Sequence, residues 1–152
     1  MTRLAVEALA SGPVTRQAAG RLVVATRGPG FTDLTAAIAA FVAESGIACG
    51  VAVLLCRHTS ASLTVQENAD PDVRADLLSA LDRLAQRDLR YRHDAEGPDD
   101  MPAHIRTALT DTSLAIPIIG GRLALGTWQA IYLVEHRDAP HRREIAVNLT
   151  GG

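Results

Sequence analysis

Cys49-Gly50-Val51-Ala52-Val53-Leu54-Leu55-Cys56, followed at once by Arg57-His58-Thr59-Ser60, is the stretch on which the architecture turns. Eight uncharged residues, apolar on both faces, predict an interior strand covered on each side. The polar run after it then stands at the mouth of a buried strand, where side chains are held more firmly than on a free loop. His58 is therefore a candidate for chemistry. Cys49 and Cys56 lie an odd seven positions apart. They point to opposite faces of such a strand and cannot bridge, so reduced thiols in a cytosolic protein are expected.

Upstream, residues 1–13 read as a short N-terminal extension, frayed or at an edge, ending in the turn signal Ser11-Gly12-Pro13. Val14 to Arg27, centred on Leu22-Val23-Val24, predicts a strand closed by Gly28-Pro29-Gly30. Thr32 or Asp33 then caps a helix with Leu34, Ile38, Phe41 and Val42 on one face, ending near Ser45-Gly46. Downstream, Ala61 to Val65 predicts a second short strand delivering Glu67, Asn68 and Asp70 at its far end. Asp70-Pro71 opens a helix carrying Val73, Leu77, Leu81 and Leu84. For Asp70 the cap is itself a sufficient role; Glu67 and Asn68 have no such explanation.

His93-Asp94-Ala95-Glu96-Gly97-Pro98-Asp99-Asp100-Met101-Pro102-Ala103-His104 is neither an amphipathic helix nor a strand. It reads as a site loop running into a helix, with Asp99 or Asp100 as cap, Pro102 and His104 in the first turn, and Ile105, Ala108 and Leu109 as the apolar face. Imidazoles beside carboxylates suit a metal or proton transfer, and a solvated loop that only caps a helix would look the same. Leu114 to Ile119 predicts a strand whose Pro117 belongs at an edge, and Gly120-Gly121 a turn. Leu123 to Val134 predicts one long strand with a bulge at Gly126. It would hold a packed Trp128, and a Gln129 whose amide needs a network or a ligand. After Glu135-His136-Arg137 and a turn, Arg143, Ile145, Val147 and Leu149 alternate in a terminal strand.

Strands outnumber helices without regular βαβ alternation, so the expected class is α+β: a mainly antiparallel β-sandwich with interspersed helices, in one domain of residues 14–152. A net charge of -2 gives no case for nucleic acid, and every one of the 15 basic residues is Arg. No run of apolar residues is long enough for a membrane span, and the first residues do not resemble an export signal. A cytoplasmic protein is expected.

His58-Thr59-Ser60-Ala61-Ser62-Leu63, Glu67 through Val73, His93 through His104, Gly126-Thr127-Trp128-Gln129 and Glu135-His136-Arg137 together resemble, in order and spacing, the YjbQ-like family of secondary thiamine phosphate synthases. The likeness spans about residues 14–151. Gln66 and Ala130 depart from it, standing where the family usually has Asn and Gly. The resemblance implies an antiparallel β-sandwich assembled as a homotrimer, with a polar pocket at or near a subunit interface. It also implies a weak activity joining a hydroxymethylpyrimidine diphosphate to a thiazole phosphate with loss of pyrophosphate.

On that reading Arg137 and Arg143 hold phosphate with help from Thr59 and Ser60, and Asn68 and Gln129 contact the substrate. Glu67, Asp70, Asp99 and Asp100 are the hard ligands open to magnesium. His58, His93, His104 and His136 serve proton transfer, or three of them hold zinc. Two other readings fit the same residues. One is a metal-dependent hydrolase of a small phosphorylated metabolite, and the other a non-catalytic metabolite-sensing trimer. The polar motifs could also merely cap helices and join subunits.

Overall fold

Eight strands and three helices follow one another in a computed structural model that describes residues 4–152. In chain order they are β1 (Arg16–Thr26), β2 (Gly30–Asp33), α1 (Thr35–Ser45), β3 (Cys49–Cys56), β4 (Ala61–Glu67), α2 (Pro71–Leu84), α3 (Asp100–Leu109), β5 (Ser113–Ile119), β6 (Arg122–Leu123), β7 (Gln129–Glu135) and β8 (His141–Gly151). Every strand pair is antiparallel, in a five-stranded sheet of order β1-β8-β3-β5-β6 and a three-stranded sheet of order β2-β7-β4. The α+β class with mainly antiparallel strands is as expected. The extension at residues 1–13 lies in part outside the described residues; 4–13 are exposed and without regular structure.

The core forms where inward-facing residues of the two sheets meet. Ala52 and Leu54 of β3 and Ile145, Val147 and Leu149 of β8 pack against Leu63 of β4 and Ile131 and Leu133 of β7, with Leu34, Ile38 and Val42 of the α1 segment closing one side. That face of α1 is the one the sequence predicts. Leu34 rather than Thr32 or Asp33 is the N-cap and carries no side-chain cap, Asp33 accepts from the Thr35 N–H at 2.8 Å from one place before it, and Gly46 ends the helix in the left-handed region. The Gly120-Gly121 turn is also as expected, with both residues at positive φ.

Three expectations change. β3 is central in its sheet but covered on one face only, for Val53 and Leu55 are 42% and 44% exposed. The strand buried on both faces is β7, where every residue from Ala130 to Glu135 is buried. The predicted run from Leu123 to Val134 is broken. The Gly126 N–H donates to Gln129 Oε1 at 2.8 Å and the Gln129 N–H to the Gly126 carbonyl at 3.0 Å, closing a turn that carries the chain from one sheet to the other. One strand cannot pair in both layers, so the ladder stops there. The Gln129 side-chain carbonyl thus finds its partner locally, and Trp128 is 63% exposed rather than packed. β2, four residues paired with β7, was hidden between a turn signal and a cap.

In α3, neither Asp99 nor Asp100 caps with its side chain, and the buried face is Pro102, Ala103 and Arg106 while Ala108 and Leu109 are exposed. No described helix is long and apolar enough to cross a membrane.

Candidate functional site

The register of β4 on β7 decides which motifs can meet. Ala61 stands opposite Glu135 and Glu67 opposite Gln129. The end of β3, the start of β4, the end of β7 and the start of β8 therefore share one rim of the sandwich. Glu67, Asn68, Asp70 and Gln129 lie at the other end, six strand steps or about 20 Å away at 3.3 Å per residue. Asp70 is occupied as the α2 cap, accepting from the Asp72 N–H at 2.9 Å. The expected single constellation is two groups within one chain.

The rim that holds His58, Thr59, Ser60, His136, Arg137 and Arg143 also receives the 93–100 loop and α3. Gly97, at φ 103, turns that loop in a conformation L side chains rarely adopt, and a Cβ there would stand 3.1 Å from Asp99 Oδ1. Beyond the turn both aspartates face Arg137. Its Nε donates to Asp99 Oδ2 at 2.9 Å, its Nη1 to Asp100 Oδ1, and its Nη2 to the Glu96 carbonyl at 2.9 Å. Asp99 Oδ2 also accepts from the Asp138 N–H at 2.9 Å. Burial alone would raise both aspartates, but Asp99 is held below the usual range by the Asp138 N–H and Arg137, and Asp100 by His93 and Arg137. Both stay ionised.

Asp100 Oδ2 lies 2.5 Å from His93 Nε2 and 3.4 Å from His104 Nε2. The helix begins at Asp100, so His104 sits one turn further on the same face rather than in the first turn. His104 Nδ1 is 3.1 Å from the Thr59 carbonyl, an acceptor, so Nδ1 carries a proton and Nε2 is the nitrogen that faces Asp100. One ligand-type atom from each of His93, Asp100 and His104 lies within 4.8 Å of the others. Tetrahedral zinc with bonds of about 2.0–2.1 Å separates its ligand atoms by about 3.3 Å. The 3.4 Å separation already suits that, and the 2.5 Å hydrogen bond would open as a cation displaced its proton. These three residues fit a divalent cation with open positions.

The other predicted ligands are placed elsewhere. Asp99 is engaged by Arg137, and His136 is buried with Nε2 2.8 Å from Ser62 Oγ, which accepts from Thr110 Oγ1 at 2.6 Å. Burial, and then the Arg106 charge, push the His136 pKa down to about 4. The folded value lies below the unfolded one, so the unfolded chain takes the proton first. Stability associated with His136 is full above about 6.5 and falls away as pH drops toward 4, by about 3 kcal/mol if both ends of that window are reached. Urea unfolding at several pH values checks this: His136→Gln should flatten that part of the profile.

Neither predicted phosphate-binding arginine is free. Arg143, 3% exposed, donates from Nε to Glu135 Oε2 at 2.7 Å, and from Nη2 to Glu135 Oε1 at 2.5 Å and Ser60 Oγ at 3.1 Å. Glu135 accepts also from Thr26 Oγ1 and from the His136 and Arg137 N–H groups. Burial would raise its pKa, but Arg143 and Thr26 hold it below the usual carboxylate value. Glu135 has no role in the sequence reading. Its signal was a carboxylate two places from Leu133 on one strand face, matched by Arg143 alternating with Ile145 on another. His58 Nε2 accepts from the Glu144 N–H at 2.7 Å, and burial, then the Arg143 charge, lower its pKa. It is neutral with its proton on Nδ1.

The UPF0047 protein sll1880 of Synechocystis sp. is 51% identical over 144 residues, covering 94% of this chain and 98% of that protein. UPF0047 protein YugU of Bacillus subtilis is 37% identical over 78% of this chain and 88% of its own length. A crystal structure of a YjbQ/UPF0047 family protein from Clostridium acetobutylicum superposes with a TM-score of 0.79 at 39% identity, covering 85% of this chain and 98% of that one. Hypothetical protein APE1520 from Aeropyrum pernix K1 gives 0.82 at 29% identity, over 89% and 99%. A family model described as UPF0047 protein YjbQ-like matches residues 21–152, and this chain belongs to that family.

Proposed function

We propose that this chain is a metal-dependent enzyme acting on a small phosphorylated metabolite, its divalent cation held by His93, Asp100 and His104. The observation that carries this is the convergence of the three side chains, two of them set by a separate partner: Arg137 fixes Asp100, and the Thr59 carbonyl fixes the His104 tautomer. When bound, such a cation supplies Lewis acidity toward a phosphoryl oxygen and toward water. His58, neutral and on the same rim, keeps an Nδ1–H with which to donate a hydrogen bond to a substrate. Arg137 and Arg143 shape the rim rather than touch phosphate. Hydrolysis is the simplest reaction this set can serve.

Secondary thiamine phosphate synthesis is the second reading. It is favoured by the motif set and by the ionised Asp100, a hard ligand that magnesium could use while holding a leaving diphosphate. A homotrimer belongs to both readings. The outer face of the five-stranded sheet exposes Val23, Val53, Leu55 and Ile119 beside Ala19 and Ala115, with Glu144 and Asn148 of β8 between the β1 and β3 residues, a mixed surface that a neighbouring copy could cover. Glu67, Asn68, Asp70 and Gln129 take part only where a neighbouring copy brings them to a His93 cluster.

Metal analysis of protein purified without added metal, with assays and sedimentation on the same sample, tests these readings. About one zinc per chain with turnover of a phosphate monoester supports the hydrolase. Magnesium-dependent product formation from the pyrimidine diphosphate and thiazole phosphate supports the synthase. Metabolite binding without turnover leaves the sensing role. No metal at any of these steps overturns the proposal, and a chain that sediments as a monomer removes the trimer.

A further inference from the structure

Beside the His93 cluster, the segment between α2 and α3 and the first turn of α3 border an open cleft of about 320 Å³ that has His93 in its wall. Arg87 and Arg90 line it together with Tyr91 and the apolar Leu89, Met101 and Pro102. The two arginines differ. Arg87 is held by a bidentate pair to Asp138 at 2.5 and 2.7 Å, whereas Arg90 has no hydrogen-bond or ion-pair partner among the described residues. With Arg137 and Arg143 both engaged by internal carboxylates, Arg90 is the unengaged guanidinium of this cleft. Its charge is opposed there only by Asp94.

We infer that this cleft binds the phosphate monoester of a small ring compound, with Arg90 on the phosphate and the ring against Tyr91 and Leu89. This rests on the metal reading above and names its substrate class. The charges fit: Arg90 offsets Asp94, so a cation at His93, Asp100 and His104 leaves the cleft positive enough for a phosphate dianion. The size fits as well, for 320 Å³ is at the small end of ligand pockets and takes one ring rather than a dinucleotide. A guanidinium presents its donors in a fork matched to phosphate oxygens.

Calorimetric titration of inorganic phosphate and of phenyl phosphate into zinc-loaded wild type, Arg90→Gln and His104→Ala tests the inference. Phenyl phosphate should bind more tightly than inorganic phosphate. Arg90→Gln should weaken both by about ten-fold, the loss of one charge-assisted contact, with zinc content unchanged. Wild-type affinity in Arg90→Gln, or no binding of either ligand to wild type, overturns the pocket. In the first of these cases retained zinc leaves the metal reading standing. Arg90-dependent phosphate binding by a chain that holds no zinc supports the pocket and sinks the metal reading alone.

Discussion

If the proposed metal site is right, His104→Ala is expected to bind no cation and show no metal-dependent activity while keeping its fold. The side chain is about one-third exposed and its one hydrogen bond runs to the Thr59 carbonyl, so little packing goes with it. What goes is one of the three proposed ligands. Loss of a residue that only orients a ligand costs about 10–100-fold in metal affinity, so loss of the ligand itself should cost at least about 100-fold. Metal analysis after dialysis, with circular dichroism as the control for folding, reads this directly. A His104→Ala protein that retains stoichiometric metal and full turnover would remove the site from the position assigned to it.

Arg143→Met should give the largest loss of stability of any substitution at the rim. It leaves Glu135, 2% exposed, with a hydroxyl and two backbone N–H donors but no cation. Removing one partner of a buried pair costs about 3–5 kcal/mol, a large part of the 5–15 kcal/mol typical of a whole domain. The double substitution Glu135→Leu with Arg143→Met should recover most of it, because the cost lies in the stranded charge. Urea unfolding of the three variants measures both effects. A single variant as stable as wild type would show that the pair contributes nothing.

The pH dependence carries its own sign. Because the folded Glu135 carboxyl lies below its unfolded value, its contribution is complete above about 4.3 and is lost as pH falls through the lower folded value. His136 acts earlier, between about 6.5 and 4. Wild type should therefore lose stability in two stages on acidification. Arg143→Met should blunt the second.

Legibility followed how local the controlling interactions are. The α1 face, the Asp70 cap and the Gly120-Gly121 turn were readable because neighbours within a few residues decide them. The break at Gly126 was not, since Leu123 to Val134 is consistently β-like and only membership of two different sheets divides it. Trp128 was misplaced for the same reason. At the site, the residue types were legible but their pairings were not. The structure brings His93, Asp100 and His104 together, whereas His136, grouped with them in the sequence reading, is bonded to Ser62. Arg137 and Arg143 looked like phosphate ligands because a sequence does not show which carboxylates an arginine will meet first.

By itself, the sequence determined an antiparallel α+β chain whose ionisable groups cluster at turns and strand ends, because hydrophobic periodicity and turn chemistry are properties of consecutive residues. Tertiary structure alone decided which of those groups became partners. Setting Ala61 against Glu135 sends Glu67 and Gln129 to the opposite end of the sandwich, and the partly buried Arg137 and buried Arg143 pair with carboxylates that the sequence does not identify as their partners. Charges choose partners by distance in a low-dielectric interior, and that distance is fixed only when the sheets close.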